Sequence, residues 1–213
     1  MSELEFRTAG RLAGDDRAQF IHIYEESFPR EQRDEPDPLL SSIASGRRRC
    51  ELVYGDGMLV GLAVLFRLSA RKVQFLEYFA IASGNRDQGI GSRFLGHVLE
   101  CLRSTEDPTP GVVFEVEVPA QAAGGERHLR ERRIQFYTRN GAVLVDCAPS
   151  YEAPNLAGDG TIPFLLMWIP LGSEVRSLEG LFLRDCVTGI LTESYKLHPE
   201  HPLVDEVVAR LRC

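Results

Sequence analysis

Arg86-Asp87-Gln88-Gly89-Ile90-Gly91-Ser92 is the stretch on which the reading of this chain turns. Before it, Lys72-Val73-Gln74-Phe75-Leu76-Glu77-Tyr78-Phe79-Ala80-Ile81-Ala82 reads as a strand that halts at Ser83-Gly84-Asn85. After it, Phe94, Leu95, Val98, Leu99 and Leu102 recur at helical spacing and form a single apolar face. Pro108 and Pro110 close the connection to another strand, Val112-Val113-Phe114-Glu115-Val116-Glu117-Val118. Residues 72–118 therefore predict strand, glycine-bearing turn, helix, strand: a βαβ unit with a parallel pair. Gly89 and Gly91 let the main chain approach a ligand without Cβ obstruction. The first amides of a helix lack internal acceptors and lie at the positive end of its dipole. Together these features make an anion site suited to a diphosphate, to which Arg86 adds a charge-assisted contact.

Two phosphate motifs do not fit. A Walker loop requires Gly-Lys-Ser/Thr, and the turn has no lysine; a dinucleotide fingerprint requires a third glycine where Phe94 stands. A tight strand-to-helix turn without a ligand remains the plain alternative.

Working outward, Leu4 to Thr8 alternates apolar and polar and predicts an opening strand. Asp15 or Asp16 is expected to cap a helix carrying Phe20, Ile21, Ile23, Tyr24 and Phe28, which Pro29 ends. Residues 30–38 read as a loop, and 39–45 as a short helix closed by Gly46. Residues 51–54 and 58–66 flank Gly55-Asp56-Gly57 and predict a hairpin. A helix is expected from Glu126 to Asn140, with Gly141 at its C-terminal stop, then strands at 143–145 and 164–169 separated by a Pro/Gly-bearing segment, 149–163. Residues 172–213 keep helical spacing.

Composition narrows the class. The 213 residues are 44% hydrophobic and 26% charged, as in an ordinary globular chain, and no apolar run approaches the roughly 18 residues of a membrane span. The acidic start, Met1-Ser2-Glu3-Leu4-Glu5, does not read as a signal peptide. With 24 Lys+Arg against 31 Asp+Glu, the net charge of -7 repels a phosphate polymer, so nucleic acid is not an expected partner, and without a spanning run neither is a membrane. Arg47-Arg48-Arg49 reads as a solvated turn. Cys50, Cys101, Cys147, Cys186 and Cys213 are odd in number and form no C-x-x-C pair, which predicts free thiols and a cytoplasmic setting. Cys101 and Cys147 read as core or near-core thiols. His198-Pro199-Glu200-His201-Pro202 reads as a rigid linker between helices rather than a metal site, and no metal is expected elsewhere.

At this point the chain resembles the GNAT acetyltransferase family. Its Gln/Arg-x-x-Gly-x-Gly/Ala signature is matched by Arg86, Gly89 and Gly91 in the strand–turn–helix setting the family uses. A second motif, an aromatic or leucine followed by tyrosine, three residues and Gly-Phe, is approximated by Phe136-Tyr137-Thr138-Arg139-Asn140-Gly141-Ala142. Two positions depart from the pattern: Arg130 stands where the family commonly has asparagine, and Ala142 where it has phenylalanine. The resemblance covers about residues 3–171. It implies an α+β fold with a mixed, mainly antiparallel sheet of about seven strands flanked by helices. Residues 1–171 would form the acetyltransferase domain, and 172–213 a helical extension packed on that core or on a second subunit as a homodimer contact. It also implies acetyl-CoA as co-substrate. Its pyrophosphate would lie on Arg86, Asp87, Gln88, Gly89, Ile90, Gly91 and Ser92, and its pantetheine arm between the strands of residues 72–82 and 112–118, near the backbone of Phe79 and Ile81.

Acetyl transfer to an amine needs a proton acceptor, because an ammonium with pKa near 10.4 is not nucleophilic, and a donor for the departing thiolate. Glu77, an acid among apolar neighbours, is the first candidate for the base; a structural pair with an arginine is its alternative. Glu115 and Glu117 share one face of their strand and are the next candidates, for a proton relay or for binding a cationic substrate. With Glu152 they suit a small cationic molecule or an amino-terminal amine. Tyr137 matches the family's general acid. The rival readings are a non-catalytic acyl-CoA binder, and an acyltransferase using a longer acyl group or a hydroxyl acceptor.

Overall fold

The structure, a computed structural model, describes residues 3–212. It contains β1 (Leu4–Ala9), α1 (Gly14–Ser27), α2 (Pro36–Ala44), β2 (Arg48–Gly55), β3 (Met58–Arg67), β4 (Gln74–Ile81), α3 (Ile90–Arg103), β5 (Gly111–Glu117), α4 (Gly124–Arg139), β6 (Val143–Leu144), β7 (Glu152–Pro154), β8 (Thr161–Pro170), α5 (Gly180–Gly189) and α6 (Pro202–Ala209). Strand order is β1-β2-β3-β4-β5-β8-β6, with β7 paired to β8. The β4–β5 pair is parallel and aligns Gln74 with Val112 and Phe75 with Val113. The pairs β1–β2, β2–β3, β5–β8, β6–β8 and β7–β8 are antiparallel. This is the mixed, mainly antiparallel sheet expected, with eight strands among the described residues.

The chain folds as two compact units. The first holds residues up to Phe66, Leu76–Ser104 and Asn155–Asp159; the second holds Arg67–Phe75, Thr105–Pro154 and the chain from Gly160 onward.

In the first unit, Asp56 and Gly57 take φ of 49° and 79°, the pair of left-handed residues that a two-residue hairpin turn demands. One face of β2, Cys50, Leu52 and Tyr54, packs with Phe20, Ile23 and Tyr24 of α1, Leu39 and Ile43 of α2, and Tyr78 and Ala80 of β4. Each such large side chain contributes roughly 1.5–3 kcal/mol by leaving water. The opposite face carries Glu51, which accepts from the Thr8 hydroxyl at 2.9 Å and lies 4.0 Å from His97 of α3. Helices α1 and α2 thus cover one face and α3 the other.

The cap of α1 differs from expectation. Ala13, not an aspartate, precedes the helix, and Asp15 and Asp16 occupy its first turn. There they still favour the positive dipole end, while Asp16 accepts from the Tyr54 hydroxyl at 2.9 Å. The expected loop at 30–38 contains a 3-10 turn, Arg30–Gln32, and the start of α2, because a proline at N1 loses no helical hydrogen bond.

In the second unit, Phe114 of β5 faces Tyr137 of α4, with ring centroids 4.4 Å apart. Gly141, at φ 92°, stops α4 as expected. The residues after β8 pack on this unit: Trp168 donates from its indole to the Val175 carbonyl at 3.1 Å and meets Phe182 edge-on at 6.4 Å. Helix α5 passes into a π-helical turn, Ile190–Ser194, before Tyr195. The histidines beyond it serve as linker and cap: His198 Nδ1 accepts from the Glu200 amide, and His201 caps α6 by accepting from the Leu203 amide at 3.2 Å. The free-thiol expectation holds for Cys50, Cys101 and Cys186. It fails for Cys147, which is disulfide-bonded; Cys213 lies outside the described residues.

Candidate functional site

The strand–turn–helix is formed as its residues require. After β4 a 3-10 turn, Ser83–Asn85, is tied to α1 by Glu26, whose carboxylate accepts from the Ser83 amide at 2.9 Å and its hydroxyl at 3.1 Å. Asp87 and Gly89 then both take positive φ, 62° and 78°, and Gly89 is the residue from which α3 springs. Asp87, Gln88, Gly89 and Ser92 are exposed, Gly91 is half-buried, and Ile90 is packed inside as an anchor. The Gln88 amide donates to the Gly84 carbonyl at 3.3 Å. Helix α3 is held beneath by Phe94, which stacks on Phe79 of β4 at 5.4 Å. Arg86 lies within the same turn, but its Nε donates to the Ile81 carbonyl at 2.9 Å and its Nη2 to the Ser27 hydroxyl at 3.3 Å. It braces the loop against β4 and α1, so the contribution to an anion falls first to the helix amides.

Glu77 stands in different surroundings from those expected. Its side chain is 5% exposed and forms a two-toothed ion pair with Arg48, Nε to Oε2 at 2.5 Å and Nη2 to Oε1 at 2.9 Å. Arg48 also donates to the Ser42 hydroxyl at 3.0 Å and to Asp34 at 3.3 Å. Burial works against the charge of Arg48, but the hydrogen bond and charge of Glu77, joined by Asp34, prevail and raise its pKa. An arginine thus faces the Glu77 carboxylate where its sequence neighbours are apolar, the arginine pair given above as the alternative to the base. The reading of Arg47-Arg48-Arg49 as a solvated turn is corrected here, since Arg48 opens β2 and is buried. Around it, the Tyr24 hydroxyl donates to the Asp34 carbonyl and the Asp34 amide donates to the Tyr78 hydroxyl, each at 3.1 Å.

In the second unit, Tyr137 is buried between Phe114 and Phe136. Burial pushes its phenol up to about 12, against a smaller pull from the Arg133 charge. Glu117 is ion-paired with Arg133. Glu115 accepts from two phenols, Tyr151 at 2.5 Å on Oε1 and Tyr195 at 2.6 Å on Oε2. Glu152 pairs with Arg210 of α6 at 3.0 Å. Arg130 donates from Nη1 to the Val118 carbonyl at 3.1 Å, tying α4 to the end of β5. Sequence reasoning missed Arg48, Tyr151 and Tyr195; their partners lie 29, 36 and 80 residues away, beyond any local pattern.

Glu51, His97 and Cys101 bring three ligand atoms within 4.8 Å of one another. Arg49 donates to the same Glu51 carboxylate at 2.6 Å, so a fixed cation stands beside that cluster and disfavours a metal ion. An open depression of about 650 Å³, lined by Arg11, Leu12, Arg17, Leu40 and Ser41 among others, contains none of the predicted site residues.

Neither a protein-family model nor a curated protein matches the chain. Solved structures do match. A GNAT-family protein from Bacteroides thetaiotaomicron superposes with a TM-score of 0.68 at 23% identity, over 91% of this chain and 99% of its own. An aminoglycoside 6'-N-acetyltransferase complexed with coenzyme A gives 0.60 at 15% identity, over 80% of this chain and 99% of its own. The yncA protein of Salmonella typhimurium, solved with its cofactor acetyl-CoA, gives 0.58 at 13% identity, over 82% and 97%. The fold of this chain is therefore the GNAT acetyltransferase fold.

Proposed function

We propose that this protein is an acetyl-CoA-dependent N-acetyltransferase in which a primary amine attacks the thioester directly in a ternary complex. The observation that carries the reading is the exposed turn Asp87–Gly89, with two left-handed residues opening α3 directly after β4. Such a turn aims the first helix amides at an anion. The coenzyme A held by two proteins of the same fold supports a diphosphate as that anion.

The pKa of Tyr137 defines its chemistry. A phenol near 12 is neutral throughout the physiological range and can donate a hydrogen bond to sulfur as the thiolate develops. Complete transfer to a thiolate whose acid has a pKa near 8.5 would be uphill by about 5 kcal/mol. Tyr137 is therefore assigned as a hydrogen-bond donor to the leaving group, with the proton following later from solvent. Glu77, ion-paired with Arg48, is assigned as acceptor of the ammonium proton through water. The acceptor is proposed to be a small or amino-terminal amine. The aminoglycoside substrate named for one neighbour and the net charge of -7 both favour a cationic one. A cytoplasmic setting is supported by the thiols of Cys50, Cys101 and Cys186 and opposed by the Cys147 disulfide. No described helix is long and apolar enough to cross a membrane.

Titration calorimetry with CoA and acetyl-CoA, followed by thiol-release assays on a panel of amines, tests the reading. Binding of both, with amine-dependent CoA release, is expected. Absence of heat at millimolar CoA sinks the proposal. Binding without turnover on any amine would favour an acyl-CoA binder instead.

A further inference from the structure

The last turn of α1 carries two acids, Glu25 and Glu26, and no basic residue. Acids there meet the negative end of the helix dipole, so the sequence works against its own helix at this point. Glu25 is offset by Arg33, 3.2 Å away. Glu26 is exposed, and its partners among the described residues are the amide and hydroxyl of Ser83, at 2.9 and 3.1 Å. What Glu26 contributes therefore lies in the turn after β4 and not in α1.

That turn needs an outside partner. The Ala82 amide still reaches the Val60 carbonyl of β3 at 2.8 Å, and the chain then leaves the sheet. Ala82 offers no side-chain cap to the 3-10 turn Ser83–Asn85, so the first amide of that turn has no partner of its own. The Glu26 carboxylate supplies the cap from another helix. One residue further along α1, the Ser27 hydroxyl accepts from Arg86 Nη2 at 3.3 Å, while Arg86 Nε is fixed on the Ile81 carbonyl at 2.9 Å. Two consecutive residues of α1 thus hold Ser83 and Arg86, the ends of the segment that leads into Asp87–Gly89. The side chains of Asp87 and Gln88 are exposed, so core packing does not fix the loop from its outer side.

A site that forms in only a fraction of molecules loses apparent affinity by that fraction. A carboxylate repels a diphosphate, so Glu26 cannot serve as a contact for that anion and its part is geometric. We propose that Glu26 is a positioning residue for coenzyme A: by capping Ser83 from α1, it holds the diphosphate turn in its binding arrangement before the ligand arrives. Ser27 and Arg86 form the second brace of the same turn. This inference rests on the acetyltransferase reading above, and it makes the last turn of α1 a determinant of donor affinity.

The test is calorimetric titration of CoA into the wild type, Glu26→Ala, Glu26→Gln and Ser83→Ala, with acetyl-CoA kinetics on the amine that the wild type acetylates fastest. Glu26→Ala is expected to bind CoA about tenfold more weakly, as when only about one molecule in ten keeps its turn formed. Its KM for acetyl-CoA should rise in step, with kcat within about twofold of the wild type. Glu26→Gln keeps an acceptor oxygen for the Ser83 amide and should restore CoA affinity to within about twofold. Ser83→Ala loses one of the two bonds and should bind CoA about threefold more weakly. Unchanged CoA affinity in Glu26→Ala overturns the inference, as does an equal loss in Glu26→Gln, which would make charge and not geometry the cause. A fall in kcat at constant KM overturns it too. Should Glu26→Ala fail to fold in urea titrations, Ser83→Ala decides, and wild-type affinity there rejects the brace. A wild type that binds no CoA sinks the acetyltransferase reading first, and this inference with it.

Discussion

Arg48 lies between two carboxylates, 2.5 Å from Glu77 and 3.3 Å from Asp34, with 5% of its side chain exposed. Removing one partner of such a pair strands a charge without water. Arg48→Met should therefore destabilise the fold by about 3–5 kcal/mol in urea titrations, and Arg48→Met/Glu77→Met should recover most of that loss. The same pair separates the roles of Glu77. If Glu77 accepts the substrate proton, the folded double variant will show a shifted pH–rate profile as well as lower turnover; an unchanged profile would mark the pair as structural only. Tyr137 gives a pH signature of stability. Its folded pKa is raised from near 10 to about 12 by burial, so its contribution is complete below pH 10 and is lost as the pH rises through 12. Two pKa units correspond to about 3 kcal/mol. Tyr137→Phe should thus flatten the alkaline limb of a stability–pH curve measured by denaturant unfolding, relative to the wild type between pH 10 and 12.

Among the elements, two glycines separate conformational from steric demands. At Gly89 an added Cβ meets nothing within 4 Å, but φ is 78°. Gly89→Ala should cost about 1–2 kcal/mol from backbone strain alone and weaken CoA by retracting the helix amides, as calorimetry would record. At Gly111 a Cβ would fall 2.3 Å from the Trp168 ring and 2.5 Å from the Ile169 carbonyl. Gly111→Ala should lower the melting temperature through a loss of about 1–3 kcal/mol of packing. The strand–turn–helix was legible because its signals are local: an apolar run, a glycine turn, then a helical stripe. So was Gly141, where a left-handed stop shows as a single residue type. The environment of Glu77 was not legible. Leu76, Tyr78 and Phe79 predicted an apolar pocket, yet the arginine paired with it comes from the start of β2. Short β7 escaped notice within a Pro/Gly-bearing segment, since three residues carry no period of their own. The eight-strand count follows from that strand alone.

For the molecule as a whole, the net charge of -7 should draw a cationic acceptor from a distance. Raising salt from 50 to 500 mM should increase the acceptor KM several-fold while leaving kcat within about twofold, because screening acts on the approach and not on the bound complex. A KM independent of salt would point to a neutral acceptor. Tyr195 directly follows the π-helical turn and donates to Glu115 at 2.6 Å. A π-helical turn closes i→i+5 hydrogen bonds in place of i→i+4 and so winds one extra residue into the helix. Inserting one residue into the regular helix α5, which has no such widening to absorb it, would swing everything after it by roughly 100° about the axis, carrying the Tyr195 hydroxyl off the carboxylate without altering any residue at the contact. In this part of the chain, a change in length should therefore be more disruptive than most changes in composition.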